Sequence, residues 1–415
     1  MRRSSQYFLK MNDYTEIKRR CDEASGISSA VIDDFLLHYA AAKDNLAREF
    51  DTKVVSYRHI TQKADPSWIR LMKSQYIIHK VFKADGFLRK YLNHSEIKRR
   101  PSREQDFMKQ QLAMPWRFSF SEVVENPAPD FYQMRDVFRG ETFLLYSKTT
   151  TQTLKEQSVM LWLNLVAFNG VCWQTFGPVN PYQSFNSDDI FFFATEVNPR
   201  IDSDEALVLD VEKNPLPYMH LLHGGRMPVT VNKKDEVLIL FSEKDHEKID
   251  ASQLKDHFKV EYNEGVFRIS LPEWEEPPHL AAAHFDEVEN LLVVFAMTDR
   301  GYSGITRIMN KHKLDVPPEP QVRIHPSMLV TAESILRKKI VLNPYEDLFT
   351  TENSPEEKAE LEKLNSFLQS VLPAINAGEH LDIKALAKAA GVDEEWAEKI
   401  VGDTIRRIKA MKKGG

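Results

Sequence analysis

Residues 160–176 read MLWLNLVAFNGVCWQTF, two apolar, β-favouring runs that meet at Asn169-Gly170. Asn-Gly between such runs is the strongest short-range hairpin signal, because a type I′ turn needs positive φ at both central positions. The stretch predicts a tryptophan-bearing antiparallel hairpin and makes the centre of the chain β. It is a structural anchor and carries no catalytic group.

The β pattern extends outward on both sides. Residues 131–137 and 142–147 flank Phe138-Arg139-Gly140-Glu141 as a second hairpin, and 258–262 and 266–270 alternate across Asn263-Glu264-Gly265 as a third with one wet face. Pro178, Asn180 and Pro181 break the chain, and Ile190-Phe-Phe-Phe-Ala194 then reads as a strand buried on both faces. Further strands are expected at 206–211, 228–231, 237–241 and 291–296, with an irregular acidic crossing at 271–278. Together, residues 116–312 predict an antiparallel sheet or a partly closed barrel, in one domain or two.

Helical patterns lie on either side. Over 28–50, Ser28-Ser29 cap a stripe of Val31, Ile32, Phe35, Leu36 and Tyr39, and an extended link follows at 52–57. Asp65-Pro66 opens the longest helix pattern, 67–92, with Leu71, Ile78, Val81 and Phe82 as its buried stripe. Pro317, Pro318, Pro320 and Pro326 stiffen a connector at 313–326. Beyond it, 327–415 reads as helical, with helices at 327–341 and 354–372. The fold class expected is α+β: a helical N-terminal domain over 1–115, the β region, the connector and a helical C-terminal tail.

Within that tail, residues 382–402 resemble a helix-turn-helix, with Ala387 at the helix contact, Gly391 at the turn, and Leu386, Val392, Ala397 and Ile400 in the core. The would-be recognition helix presents Asp393, Glu394, Glu395 and Glu398, which repel a polyanion. The unit therefore reads as a docking or dimerisation module. Only the basic residues that follow, Arg406, Arg407, Lys409, Lys412 and Lys413, suit phosphate.

The 415 residues, with six Trp and 24 Phe, are ample for packed cores. Two cysteines, Cys21 and Cys172, are too few for a disulfide framework or a Cys-based zinc site, which favours a reducing compartment. The N-terminus lacks a secretory pattern and no apolar run reaches the roughly 20 residues of a membrane span, so a cytoplasmic protein without a membrane partner is expected. The net charge of −6 hides an asymmetry. Residues 1–115 hold 22 Lys and Arg against 14 Asp and Glu, a balance of +8, and the rest hold 33 against 47, a balance of −14.

That split points to binding. Lys73, Lys80, Arg89, Lys90, Lys98, Arg99, Arg100 and Arg103, interleaved with Tyr57, Trp68, Tyr76 and Tyr91, are the candidate phosphate-contacting and base-stacking residues, a solvated helix face being the plain alternative. His220-Leu-Leu-His223 spaces two imidazoles for a metal, with His279, His284 and Asp210/Glu212 as the third donors available. Asp210-Val-Glu212 would share a strand face, as metal-dependent nucleases need, but Lys213 is out of phase. Thr298-Asp-Arg-Gly301-Tyr-Ser-Gly304 reads as a strand-to-helix turn rather than a phosphate loop. No serine nucleophile has a GxSxG or SxxK context. The expected function is non-catalytic binding or regulation with a protein partner or, through the basic helices, nucleic acid, and no cofactor. The rival reading is a metal-dependent hydrolase using His220 and His223.

Overall fold

The computed structural model describes residues 14–349, except 63, 226, 228, 233, 247–248, 250–253 and 256. Beyond these it describes 363–364, 366–368, 370–371, 381–399 and 401–402. The expected phosphate-contacting tail after 402, most of the expected 354–372 helix and Ile400 lie outside the described residues. The chain forms one compact unit up to Pro344 and a second from Tyr345.

The first unit opens with α1 (Tyr14–Val31), a π-helical turn (Ile32–Leu36), α2 (Leu37–Lys43), α3 (Leu46–Val54), a 3-10 turn (Val55–Tyr57) and α4 (Arg58–Thr61). Residues 52–57, whose Val54-Val55 pair suggested an extended link, are thus helical. Next come α5 (Pro66–Phe82), α6 (Leu88–Leu92), α7 (Ser95–Lys98) and α8 (Ser102–Ala113). Asp65 caps α5 as expected, its carboxylate accepting from Ser67 N at 2.7 Å. The single helix expected over 67–92 is instead two, because the chain folds back at Gly86. A Cβ there would lie 2.6 Å from the Val81 carbonyl oxygen, so no other residue fits without a shift.

The hairpins expected at 131–147 and 160–176 form part of a closed five-stranded barrel in the order β1 (Arg117–Ala128), β2 (Phe131–Asp136), β3 (Thr142–Tyr146), β5 (Trp173–Tyr182), β4 (Leu161–Phe168). Strand β3 meets β5 in parallel, and α9 (Lys148–Glu156) joins β3 to β4. This strand order and helix position are those of an OB-type barrel. Tyr132, Met134, Phe143, Leu145, Trp162 and Val166 fill its interior. The outward residues Phe118, Phe120, Leu161, Leu163 and Leu165 join one large core shared with the N-terminal helices.

The Asn169-Gly170 turn is not type I′. Only Gly170 has positive φ, 95°, and residues 169–172 form a four-residue loop. Asn169 Oδ1 accepts from Val171 N and Cys172 N, both at 3.0 Å, and this side-chain closure replaces the two-residue turn. The type I′ geometry falls at the third hairpin, where Glu264 and Gly265 have φ of 47° and 85°.

After the barrel, two expected strands are helices. Ile190-Phe-Phe-Phe-Ala194 belongs to α10 (Ser187–Val197), because Asn186 and Asp189 form a reciprocal capping box that an apolar run alone does not disclose. Residues 206–211 lie in α11 (Asp204–Lys213), capped by Ser203, so Asp210 and Glu212 do not share a strand face. Helix α12 (Leu216–Met219) and a 3-10 turn (His220–His223) follow, then the short pair β6 (Val231–Asn232) and β7 (Asp235–Glu236).

A second, six-stranded antiparallel sheet combines β8 (Ile239–Asp245), β9 (Lys259–Asn263), β10 (Val266–Ser270), β11 (Ala281–Asp286), β12 (Leu291–Ala296) and β13 (Val322–Ile324). Its order is β13-β8-β12-β11-β10-β9. Helix α13 (Asp299–Lys311) packs on it through Tyr302, Ile305 and Met309. Thr298 caps α13 by accepting from Gly301 N at 3.0 Å, the strand-to-helix turn expected. Helix α14 (Pro326–Leu336) closes the first core.

In the second unit, α15 (Ile383–Ala390) ends at Gly391, whose φ is 68°. Ala387 and Ala397 are fully buried beside Phe367, Val371 and Val401.

Candidate nucleic-acid interface

The eight basic residues of the N-terminal helices separate into two sets. Lys73 is 2.8 Å from Asp51, Lys80 is 3.4 Å from Glu49, Lys90 pairs with Asp44, and Arg100 is 3.1 Å from Glu104. Burial works against the Glu49 charge, yet hydrogen bonds from Lys53 and Tyr76 and the Lys80 charge hold its pKa down at about 2. These four lysines and arginines brace the helices. Arg99 pairs with Glu96 at 3.0 Å on the surface, while Arg89, Lys98 and Arg103 are exposed.

The aromatics expected to stack bases are mostly spent. Tyr76 and Tyr91 are buried, and Tyr57 and Trp68 pack around His220. A different ring cluster lies just under the surface, with Phe35 buried and Tyr39 and His94 half-buried. The π-helical turn offsets the helix where α1 becomes α2, and such bulges often mark functional sites. Phe35 and Tyr39 stack at 5.0 Å and 11°, and the His94 ring lies 4.4 Å from Tyr39. Tyr91 meets both rings edge-on from below, at 6.3 and 6.1 Å. The Arg100 guanidinium sits 5.8 Å from the Phe35 ring and donates to the Ala30 carbonyl at 2.8 Å, which fixes the bulge.

Above this cluster lies an open groove of about 600 Å³ lined by Phe35, His38, Tyr39, Ala42, Lys43 and Glu96. His38 and Lys43, which line it, are exposed, and Glu96 lines it as well; Lys98 and Arg99, also exposed, follow Glu96 in sequence. Ring faces beside exposed cations are what a single strand requires. The helical stripe Phe35/Tyr39 was visible in the sequence, but not that Phe35 is buried while Tyr39 is only half-buried.

In OB-type barrels the β2–β3 outer face takes oligonucleotides or oligosaccharides. Here Tyr14, Ile17 and Cys21 of α1 cover that face, packing with Phe131, Leu144 and Tyr146. No family model, no curated protein and no solved structure matches the chain.

The His220 and His223 rings stack at 6.0 Å. His220 is fully buried with no partner at either ring nitrogen, and burial, then the nearby His223 and His59, push its pKa down to about 3. The four donors considered for a third ligand are engaged elsewhere. His279 contacts Thr298 and Asp235, His284 contacts Asn343, Asp210 bonds Asn198 and Tyr218, and Glu212 bonds His79 and Phe118. Among the described residues no group of three or more His, Cys, Asp or Glu side chains is placed to hold a metal ion.

Two buried ionic clusters escaped the sequence reading. Glu212 accepts from His79 Nε2 at 2.6 Å and from Phe118 N at 2.9 Å, and Arg139 reaches it at 3.3 Å. Arg139 N and Ser119 Oγ in turn donate to Asp136, whose carboxyl burial raises above its ordinary pKa. In the second cluster, His325 Nδ1 donates to Asp189 at 2.7 Å and Nε2 donates to Glu236. Both His325 ring nitrogens are engaged and His79 Nδ1 has no hydrogen-bond partner among the described residues; both histidines join elements far apart in sequence.

Proposed function

We propose that the protein is a non-catalytic binding factor that holds single-stranded nucleic acid in the Phe35–Tyr39 groove. The observation that carries this reading is the open groove at the π-helical turn, lined by Phe35 and Tyr39 together with the exposed His38 and Lys43. Bases stack on ring faces whatever their identity, and lysine and arginine follow the backbone. The +8 balance of residues 1–115 supplies a long-range field of the right sign. A cytoplasmic setting, and a protein partner for the acidic remainder, complete the proposal. Among the described residues no helix is long and apolar enough to cross a membrane.

The test is binding of the full chain to labelled single- and double-stranded oligonucleotides at two salt concentrations. Single-strand affinity that falls steeply with salt is expected. Tyr39→Ala should remove roughly 1–3 kcal/mol, the contribution of one stacked base. Lys73→Ala, already paired with Asp51, should leave affinity unchanged. No binding at low salt overturns the proposal.

A further inference from the structure

The chain's two cysteines, 151 positions apart, meet with their sulfurs 3.0 Å apart. Both are buried, one on α1 and the other in the loop between β4 and β5. Of the 18 residues of α1, only Cys21 and Val31 are fully buried, so the helix is held to the barrel by few contacts. Beside the half-buried Tyr14 and Ile17, the ties near Cys21 are polar: Gln174 Nε2 donates to the Cys21 carbonyl at 3.2 Å and to Ser25 Oγ at 2.9 Å, and Asp22 meets Lys148 at 3.2 Å. Helices attached this way open locally at low cost.

We propose that Cys21 and Cys172 form a reversible disulfide that latches α1 across the β2–β3 face of the barrel, with a hydroperoxide as oxidant. Asn169 Nδ2 lies 3.2 Å from the Cys21 sulfur, a donor suited to a thiolate there. The hydrogen bond from Cys172 holds the Cys21 thiol below its ordinary pKa against the opposing effect of burial, while the same contact pushes Cys172 up. The Asn169 amide is also nearer the Cys21 sulfur, at 3.2 Å against 3.9 Å to Cys172, so Cys21 is the attacking sulfur and Cys172 the resolving one.

When α1 opens, the Cys21 thiolate attacks the peroxide oxygen, the O–O bond breaks, and the leaving alkoxide or hydroxide takes up a proton. Cys21 is left as a sulfenic acid. The Cys172 sulfur then attacks the Cys21 sulfur, the S–O bond breaks, and hydroxide leaves with the Cys172 proton as water. In sum the two thiols lose two electrons and two protons, and the hydroperoxide takes up both. A thiol reductant reverses the bond, which suits a reducing compartment.

The latch stands independently of the nucleic-acid reading. The reduced full chain is treated with hydrogen peroxide, unfolded in the presence of an alkylating agent, and weighed intact. The expected product is monomeric, has lost two hydrogens and takes up no alkyl group, and dithiothreitol restores both thiols. Cys172→Ser should give only Cys21 sulfenic acid or its further oxidation products. Hydrogen exchange of α1 amides should slow severalfold in the oxidised wild-type chain, a comparison that needs no variant. Two alkylatable thiols after peroxide overturn the disulfide. Unchanged α1 exchange in the oxidised chain overturns the latch.

Discussion

Glu212 on α11 accepts a hydrogen bond from His79 on α5 at 2.6 Å, across 133 positions of sequence. The same carboxylate accepts from Phe118 N at the start of β1. Burial keeps the His79 pKa below its ordinary value in spite of the neighbouring carboxylate. A neutral imidazole donating Nε2–H to a carboxylate thus joins the N-terminal helices, β1 and α11.

Removing the carboxylate strands these donors. Glu212→Ala should destabilise the protein by about 1–3 kcal/mol, the cost of leaving buried donors unsatisfied. His79→Phe, which leaves Glu212 its bonds to Phe118 and Arg139, should cost less. Urea unfolding measures both. A Glu212→Ala loss under about 1 kcal/mol, the value of a surface pair, would mean that the three elements are held without it.

The second histidine has the opposite sign. Burial opposes the His325 charge, but hydrogen bonds and charges from Asp189 and Glu236 overcome it and raise the pKa. Its stabilisation is therefore complete below the ordinary histidine value of about 6.5 and is lost as pH rises through the folded value. Stability followed from pH 6 upward should fall in the wild-type chain, and His325→Gln should be less stable at about pH 6 and flatten that slope. Parallel wild-type and variant curves would show that the imidazole carries no extra proton in the folded state.

The barrel interior holds polar groups without partners: Ser121 Oγ, both amide atoms of Asn164 and Trp162 Nε1. Asn164 stands opposite Ser119, and Trp162 opposite Ser121, so all four side chains share one face. An isosteric Asn164→Leu removes two orphaned groups and should leave stability unchanged or raise it by roughly 1–2 kcal/mol. Thermal unfolding decides. A loss above about 2 kcal/mol would mean that ordered water satisfies the amide there.

Much of the fold was legible because its signals were local. The hairpins at 131–147, 160–176 and 258–270, the Asp65 cap and the Thr298 turn follow from turn residues and period, which act within a few positions. Two of the misreadings share a cause. IFFFA at 190–194 and ALVLDV at 206–211 have the composition of strands, and one capping box and one serine cap made them helices. Apolar runs of that length do not distinguish the two, and the deciding bonds are geometric.

By itself the sequence determined the class of the protein: helices, then a β centre, then helices, with a basic front and an acidic remainder. It also set the Gly391 turn between two small alanines, because left-handed backbone and close packing each demand a residue type. Tertiary structure alone decided that the strands close as β1-β2-β3-β5-β4 and that Lys73, Lys80, Lys90 and Arg100 are spent on carboxylates. It alone left Phe35 and Tyr39 beside an open groove and brought Cys21 to Cys172. Pairings across a hundred or more residues leave no local pattern, since each partner is chosen by what the whole fold brings within a few ångströms.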